Sequence, residues 1–344
     1  MKSYKRKKVV LFYSSVQEKK MFYIQGFYKT DISILQDLGY SVLLSNRIID
    51  FLHFKKYDIA FLYFYRYALF SAILAKLFGK TVIFTGGIDN LDRSYAGSKN
   101  YFIQKIFFKL CNLFSDTSLI VSTADQKNIE KIYSADRMPK NCKLCFHSID
   151  IQDLKYNRDT PKENVFLTIA WMGKVENVYR KGVLHSIYVF KELQNLMPEY
   201  KFYIIGSLGE GSDYAMNLVK KLQLEDSVCF TGSIDEDQKN IFLKKSKFYF
   251  QLSEYEGFGI AAMEALAAGN IVIHSGRGGL KDAIGNNGIC IENLTDYKKI
   301  AKQIYYSYLE KETLSKIEKG VHYVEDNFSY SNRKQIISGA LKLR

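Results

Sequence analysis

The stretch SEYEGFGIAAMEALAAG, residues 253–269, decides the interpretation of this chain. It follows an apolar run at residues 248–252 that is typical of a buried strand, and strong helix formers fill residues 261–268. Gly269 is a natural helix stop. The two glycines of the intervening Gly-Phe-Gly let the backbone approach a ligand, and a helix start offers unpaired N–H groups. The stretch therefore predicts a strand, a glycine loop and a helix whose start binds phosphate.

Two carboxylates bracket this glycine loop. Glu256 lies on the loop itself, and Glu264 lies eight residues further on, inside the predicted helix. A glutamate among small apolar residues is expected to face a polar ligand, and ribose hydroxyls are donors that suit it. The alternative is that Glu264 belongs to a buried polar network of the protein itself.

Outward from this stretch, short apolar runs alternate with longer amphipathic ones, as in repeated β-α units around a parallel sheet. A first series of strands is predicted at residues 8–13, 41–45, 59–64, 81–85, 119–122 and 144–147, with helices at 31–38, 68–78 and 101–114. A second series is predicted at 166–171, 201–205, 227–230, 248–252 and 271–274, after a polar linker at 151–162. The pattern predicts two doubly wound α/β domains, an architecture shared by two-domain dehydrogenases and periplasmic-type binding proteins.

Charge divides the 344 residues unevenly. The net charge is +13, and residues 1–160 contribute +11 of it, with 25 Lys/Arg against 14 Asp/Glu. Such an excess suits nucleic acid, acidic lipid or phosphorylated substrates, although a generally lysine-rich composition would also raise it. No basic-aromatic recognition motif accompanies the charge, which makes a nucleic-acid binder the least favoured class.

Cysteine usage and hydropathy indicate the compartment. The five cysteines are an odd, scattered set, which predicts reduced thiols, and the pair Cys142 and Cys145 has no second pair to complete a zinc site. Arg66 and Lys76 interrupt the most hydrophobic stretch, residues 59–79, so we expect a strand and a helix there instead of a membrane span. The apolar run after the basic N-terminus is too short for a signal peptide, and we expect a cytoplasmic protein.

Residues 253–269 resemble the signature of retaining glycosyltransferases of the GT-B fold, in glycosyltransferase family 4 (glycosyl transferases group 1), in which two glutamates flank a Gly-Phe-Gly loop. The resemblance continues through residues 270–273 and 278–280. It implies two Rossmann-like doubly wound domains facing across a cleft, with a C-terminal helix that crosses back to the first domain. We therefore expect an acceptor-binding domain at 1–155, a donor-binding domain at 156–328, and a helix at 329–344 that packs on the first domain.

The resemblance also implies roles for individual residues. Glu256 would contact the hydroxyls of the donor sugar, and Glu264 would bind the ribose. Lys174 and Lys181 resemble the basic pair that grips the donor diphosphate, with Lys174 standing where the family usually has arginine, and Arg180 is a spare cation. Further substrate contacts are expected from Gly257, Phe258, Gly259 and Ile260 near the sugar and diphosphate, Ser233 or Ile234 near the nucleobase, and Gly206 and Gly26 in loops after strands.

One departure from the family concerns the catalytic base. Many members carry a histidine after the fourth strand, where this chain has Thr-Gly-Gly-Ile-Asp at residues 85–89. Asp89 is the candidate in its place, and the alternative is a turn or helix cap. The acidic triplet at 235–237 looks like the metal-binding motif of another transferase fold, but it precedes an amphipathic run and is interpreted as helix-start charge.

The sequence thus predicts a retaining glycosyltransferase that moves a sugar from a nucleoside diphosphate sugar, with UDP favoured as the nucleotide, to a glycan or lipid-linked acceptor of bacterial surface polysaccharide synthesis. We expect no metal and no cofactor, because cations and amide dipoles stabilise the leaving group. The alternatives are a sugar epimerase of the same fold and a non-catalytic nucleotide-sugar or glycan-binding subunit.

Residues 98–116 combine the apolar side chains of Phe102, Ile106 and Leu113 with several lysines. This pattern is typical of a core helix or of a helix that lies on an anionic membrane, here the inner face of the cell membrane.

Overall fold

A computed structural model describes residues 7–310 and 313–342 of the chain. The chain divides into two compact units. Unit 1 comprises Met1–Ile149 and Phe328–Arg344, and unit 2 comprises Asp150–Asn327. The chain leaves unit 1 beside the point where it returns, since the N–H of Ile149 donates to the carbonyl of Phe328 at 3.4 Å.

Unit 1 is built on one parallel sheet of six strands in the order β2-β1-β3-β4-β5-β6. Its core strands are buried on both faces, as expected where helices cover a parallel sheet. The strands are β1 (Val9–Tyr13), β2 (Ser41–Ser45), β3 (Ile59–Tyr63), β4 (Thr81–Thr85), β5 (Thr117–Ile120) and β6 (Cys142–Leu144). The α-helices are α1 (Met21–Ile24), α2 (Gly26–Asp37), α3 (Leu69–Leu77), α4 (Ser98–Leu113), α5 (Thr123–Tyr133) and the C-terminal α14 (Tyr330–Leu341), with 3-10 helices at Ile48–Leu52, Phe54–Lys56 and Asp89–Leu91.

Unit 2 holds a second parallel six-stranded sheet, in the order β12-β11-β10-β7-β8-β9. Its strands are β7 (Glu163–Ile169), β8 (Lys201–Ile205), β9 (Val228–Gly232), β10 (Ser246–Gln251), β11 (Ile271–His274) and β12 (Ile289–Cys290). Its helices are α6 (Val175–Arg180), α7 (Val183–Leu193), α8 (Glu210–Lys221), α9 (Glu236–Lys245), α10 (Ile260–Ala267), α11 (Leu280–Ile284), α12 (Tyr297–Leu309) and α13 (Thr313–Asn327), with a 3-10 helix at Gln152–Leu154.

The C-terminal helix α14 is held in unit 1 by a buried cation. Arg333 is 2% exposed, and its guanidinium donates to both carboxylate oxygens of Asp31 on α2, at 2.6 and 2.8 Å. It also donates to the carbonyls of Cys145 and Phe146, at 3.0 and 2.7 Å. This bidentate ion pair is costly to break, because all three guanidinium nitrogens donate to acceptors inside unit 1 and either partner alone would be an uncompensated buried charge. The predicted return of the last helix to the first unit is therefore confirmed.

The predicted fold class of doubly wound α/β sheets is confirmed, with local corrections. The strand predicted at residues 119–122 begins two residues earlier, at Thr117. The search for apolar runs missed this start because Thr117 and Ser118 are polar, although both are buried. Ser118 can be buried because its hydroxyl donates to Asn112 and meets Ser115. The strand predicted at 144–147 ends at Leu144, and the short strand β12 had no prediction. The division between the units falls a few residues before the boundary predicted after residue 155.

Candidate active site

The candidate site of unit 2 lies at the switch point of its sheet. Strands β7 and β10 are neighbours, but the chain continues from β7 to β8 on one side and from β10 to β11 on the other. The connections after these two strands therefore diverge, and the crevice between them at the carboxyl end is where doubly wound sheets bind ligands. Residues 253–259 follow β10, and α6 with Lys181 follows β7.

A glycine brings Lys181 to the end of β10. Gly182 has a φ of +68°, and a Cβ at this position would lie 1.9 Å from the carbonyl oxygen of Leu252. The N–H of Glu254 donates to the carbonyl of Arg180 at 2.8 Å, and the Oγ of Ser253 lies 3.3 Å from the carbonyl oxygen of Lys181. The backbone on either side of Lys181 is thereby fixed against the loop that carries Glu256.

The side chains of Lys181 and Glu256 form a partly buried ion pair. The ammonium Nζ lies 2.7 Å from Oε1 and 2.9 Å from Oε2 of the carboxylate. Oε1 also accepts from Gln251 at 2.9 Å and from Ser253 at 2.8 Å, so Oε2 is the oxygen with more capacity for another donor. The side chain of Glu256 is 9% exposed and that of Lys181 is 21% exposed, which leaves the pair reachable.

This environment keeps Glu256 ionised. Burial raises the pKa of the carboxyl, but the charge of Lys181 and the hydrogen bonds from Lys181 and Ser253 lower it by more, with help from Arg180. The net result is a pKa below the ordinary value of 4.5. At neutral pH Glu256 is an acceptor of hydrogen bonds, which fits the recognition of hydroxyl groups.

The glycine loop leads directly into helix α10. Gly259 is its N-cap with a φ of +101°, and a Cβ there would lie 2.5 Å from a methyl carbon of Leu280. Phe258 is buried, whereas Gly257 and Ile260 are half-buried. The N–H of Gly279 donates to the carbonyl of Glu256 at 2.7 Å, which ties the loop to the next turn of the chain. The loop is thus set by packing, and the start of α10, four residues along the chain from Glu256, offers N–H donors.

Glu264 has a partner that the sequence did not indicate. Lys239 on α9 lies 2.9 Å from its Oε1 and 2.7 Å from Glu236, and the side chains of Lys239 and Glu264 are 16% and 13% exposed. Burial lowers the pKa of Lys239, but the two carboxylates raise it by more. Asp235 caps α9 by accepting from the N–H of Gln238 at 2.8 Å, which confirms the acidic triplet as helix-start charge. Lys239 is the residue missed, since nothing in the local sequence links it to a helix 25 residues away.

The remaining predicted residues of unit 2 lie around the same sheet edge. Lys174 is an exposed N-cap of α6, Arg180 is half-buried beside Glu256, and Ser233 and Ile234 follow directly after β9. Gly206 follows β8, and a Cβ there would lie 1.7 Å from the carbonyl oxygen of Ala170 after β7. These residues occupy the ends of neighbouring parallel strands, although the roles expected of them stay predictions.

Asp89 and Gly26 belong to unit 1. Asp89 is half-buried and begins the 3-10 helix Asp89–Leu91, and Gly26 begins α2 with nothing within 4 Å of a Cβ added to it. No group of three His, Cys, Asp or Glu side chains is placed to hold a metal ion within residues 7–310 and 313–342. Over the same residues, no helix is long and apolar enough to cross a membrane.

Known proteins share this sequence pattern. Residues 157–322 match the model of a family described as Glycosyl transferases group 1. The chain is 25% identical over 244 residues to the GDP-mannose:cellobiosyl-diphosphopolyprenol alpha-mannosyltransferase of Xanthomonas oryzae, covering 69% of this chain and 59% of that one. It is 28% identical over 181 residues to the O-antigen chain mannosyltransferase of Salmonella typhimurium, covering 51% and 47%. The matches thus span less than two thirds of either relative.

The fold is also shared with solved structures. HepE of Anabaena, crystallised in complex with UDP and glucose, superposes with a TM-score of 0.76 over 97% of this chain and 99% of that one, at 15% identity. A glycosyltransferase of Rickettsia africae superposes with a TM-score of 0.72 over 99% and 100%, at 18% identity. At these identities the likeness concerns the fold.

Proposed function

We propose that this chain is a retaining glycosyltransferase that uses a nucleoside diphosphate sugar, because residues 157–322 match the model of the glycosyl transferases group 1 family. The observation that carries the proposal is the ion pair of Lys181 and Glu256, next to the glycine loop and the start of α10, at the switch point of the sheet. A glycan or lipid-linked acceptor is supported by the names of the two relatives. One is named as a mannosyltransferase of cellobiosyl-diphosphopolyprenol and the other as an O-antigen chain mannosyltransferase.

In this proposal each part of the site has one task. Lys181 and the N–H groups at the start of α10 stabilise the charge that develops on the departing diphosphate, with Lys174 as an exposed second cation. Glu256, ionised and already held by Lys181, accepts hydroxyl donors of the sugar through Oε2. Glu264, fixed by Lys239, accepts from the ribose hydroxyls. Catalysis by these groups requires no proton transfer to Glu256, in keeping with its lowered pKa.

The test is donor turnover by the isolated chain. UDP- and GDP-sugars are screened by thermal stabilisation, and the donor that stabilises is assayed for release of the nucleoside diphosphate and for the anomeric configuration of the product by NMR. We expect Glu256→Ala to abolish release, while Glu254→Ala, an exposed neighbour two residues away, leaves it unchanged. Stabilisation without release would favour a non-catalytic binding subunit, and conversion of the donor sugar without an acceptor would favour an epimerase.

We further propose that unit 1 associates with an anionic membrane surface at the cytoplasmic face. Phe102, Ile106 and Leu113 of α4 are exposed, with Leu113 74% exposed, and Lys99 and Lys109 of the same helix are exposed as well. Helix α3 packs against α4 and exposes two more apolar side chains, Phe70 and Leu77. Neighbouring helices that share apolar and basic side chains on their outer surface fit the boundary of an anionic bilayer.

Vesicle binding tests this association. We expect sedimentation with phosphatidylglycerol vesicles at low salt, little with phosphatidylcholine, and a loss of roughly tenfold or more in Phe102→Ser/Leu113→Ser, since each inserted side chain contributes up to about 2 kcal/mol. The matched control is Leu309→Ser, an exposed leucine of unit 2. Equal binding of the control and the double variant would reject this surface.

A further inference from the structure

Unit 1 contains a polar cavity that the proposed donor chemistry does not use. It has a volume of about 550 Å³ and lies between the segment after the 3-10 helix Asp89–Leu91, the first turn of α4 and the middle of α5. Side chains of both charges and an aromatic ring line it: Asp92, Arg93, Ser94, Tyr101, Asn128 and Lys131. A lining of this kind suits a small, charged and hydroxylated ligand.

Two cations of the cavity are available to an anion. The guanidinium of Arg93 lies over the ring of Tyr101, 4.7 Å from its centroid, and this contact orients the donors of an otherwise exposed side chain. Within the described parts of the chain, neither Arg93 nor Lys131 has a carboxylate within 4.0 Å. An anion entering the cavity would therefore find cations that no ion pair of the protein has neutralised at close range.

The other polar groups can bind hydroxyls. Burial raises the pKa of Asp92, but hydrogen bonds from the hydroxyl and N–H of Ser94, together with Asn128 and Lys131 nearby, lower it by more, so Asp92 is ionised. Its two bonds from Ser94 both go to Oδ1, which leaves Oδ2 with capacity for a further donor. Asn128 is only 4% exposed, and its amide lies near Asp92 and helps to lower the pKa of that carboxyl, but its Nδ2 has no acceptor within 3.5 Å. An amide nitrogen carries two N–H donors, and a buried amide without a close acceptor is stabilised when a ligand supplies one.

We propose that this cavity binds a phosphate ester that carries hydroxyl groups, with the phosphate held by Arg93 and Lys131 and the hydroxyls by Asp92 and Asn128. The inference rests on the proposed function in that such a group would belong to the acceptor or to the membrane that presents it. Tyr101 in the cavity directly precedes Phe102 on the exposed face of α4, so the cavity lies beside the surface proposed to meet lipid. A sugar phosphate of the acceptor and a glycerol phosphate headgroup share this chemistry.

Titration calorimetry with soluble probes tests the site. It uses the Glu256→Ala variant, so that binding to unit 2 is weakened, and the probes are glucose 1-phosphate, glycerol 3-phosphate, inorganic phosphate and glucose. We expect both esters to bind more tightly than phosphate or glucose, and Arg93→Ala and Lys131→Ala to weaken the ester roughly tenfold each. Lys127→Ala, an exposed lysine of the same helix that does not line the cavity, is the matched control and should change nothing.

The outcomes distinguish a sugar phosphate from a lipid headgroup as the ligand of the cavity, and they distinguish failure of this inference from failure of the proposed function. Tighter binding of glucose 1-phosphate, reduced by Asp92→Asn, assigns the site to a sugar phosphate, and tighter binding of glycerol 3-phosphate assigns it to a lipid headgroup. Binding that survives both Arg93→Ala and Lys131→Ala, or esters that bind no better than inorganic phosphate, would overturn the proposal. If the esters do not bind to the cavity, the proposed function is still tested separately, because release of nucleoside diphosphate is measured with the unaltered chain.

Discussion

Replacing Lys181 by methionine would expose the energetic role of its pairing with Glu256. The substitution keeps much of the side-chain volume but removes the ammonium that lies 2.7 and 2.9 Å from the two carboxylate oxygens. Breaking a buried pair by removal of one partner costs about 3–5 kcal/mol, because an uncompensated charge remains. Ser253 and Gln251 still donate to Glu256, so we expect the lower end, about 3 kcal/mol at pH 7. For a unit of this size that corresponds to a decrease of roughly 6–12 °C in the melting temperature.

The pH dependence of this loss follows from the pKa of Glu256. In the unaltered protein the pKa lies below 4.5, so the carboxylate contributes stability above that value and loses it as the pH falls through the folded pKa. In Lys181→Met, burial acts without the ammonium and is expected to raise the pKa above 4.5. The folded variant then binds more protons than its unfolded state, so the variant should regain stability as the pH falls from 7 towards 5.

Thermal unfolding followed by calorimetry between pH 5 and 7.5 would measure this effect. Lys174→Met, which removes an exposed lysine at the other end of α6, is the matched control and should stay within about 0.5 kcal/mol of the unaltered protein. The double variant Lys181→Met/Glu256→Gln removes both charges and should recover most of the loss. The reasoning is refuted if Lys181→Met is as stable as Lys174→Met at pH 7, or if its melting temperature does not rise on acidification.

Two further substitutions probe the same half of the chain. Lys239→Met removes the ammonium that pairs with Glu264 and should raise the KM for the donor roughly tenfold with little change in kcat. Lys244→Ala, at an exposed lysine of the same helix, should change neither constant. An unchanged KM in Lys239→Met would contradict a role for this pair in donor binding. Gly182→Ala should cost more than about 3 kcal/mol in urea unfolding, because positive φ and a carbonyl contact act together. Gly39→Ala has positive φ but open space and should cost only about 1–2 kcal/mol, so equal losses would reject the contact as the cause.

Local patterns predicted the elements that are fixed by local chemistry. Helix α10 and the glycine loop before it follow from two glycines and a run of helix formers, and the parallel strands follow from short apolar runs. Pattern was less reliable where burial does not follow residue type. Thr117 and Ser118 are polar residues of a buried strand, and the hydroxyl of Ser118 is satisfied there because it donates to Asn112 and meets the hydroxyl of Ser115.

The sequence by itself determined that Glu256 lies on a tight loop after a strand and that Glu264 lies in the helix that follows, because those features depend on neighbours along the chain. Only the tertiary structure decided which cations meet them. Lys181 reaches Glu256 across 75 residues because Gly182 allows the chain to pass against the carbonyl of Leu252, and Lys239 reaches Glu264 from another helix. Ion pairs of this kind depend on distances in space between distant segments, and only the packed sheet of unit 2 sets those distances.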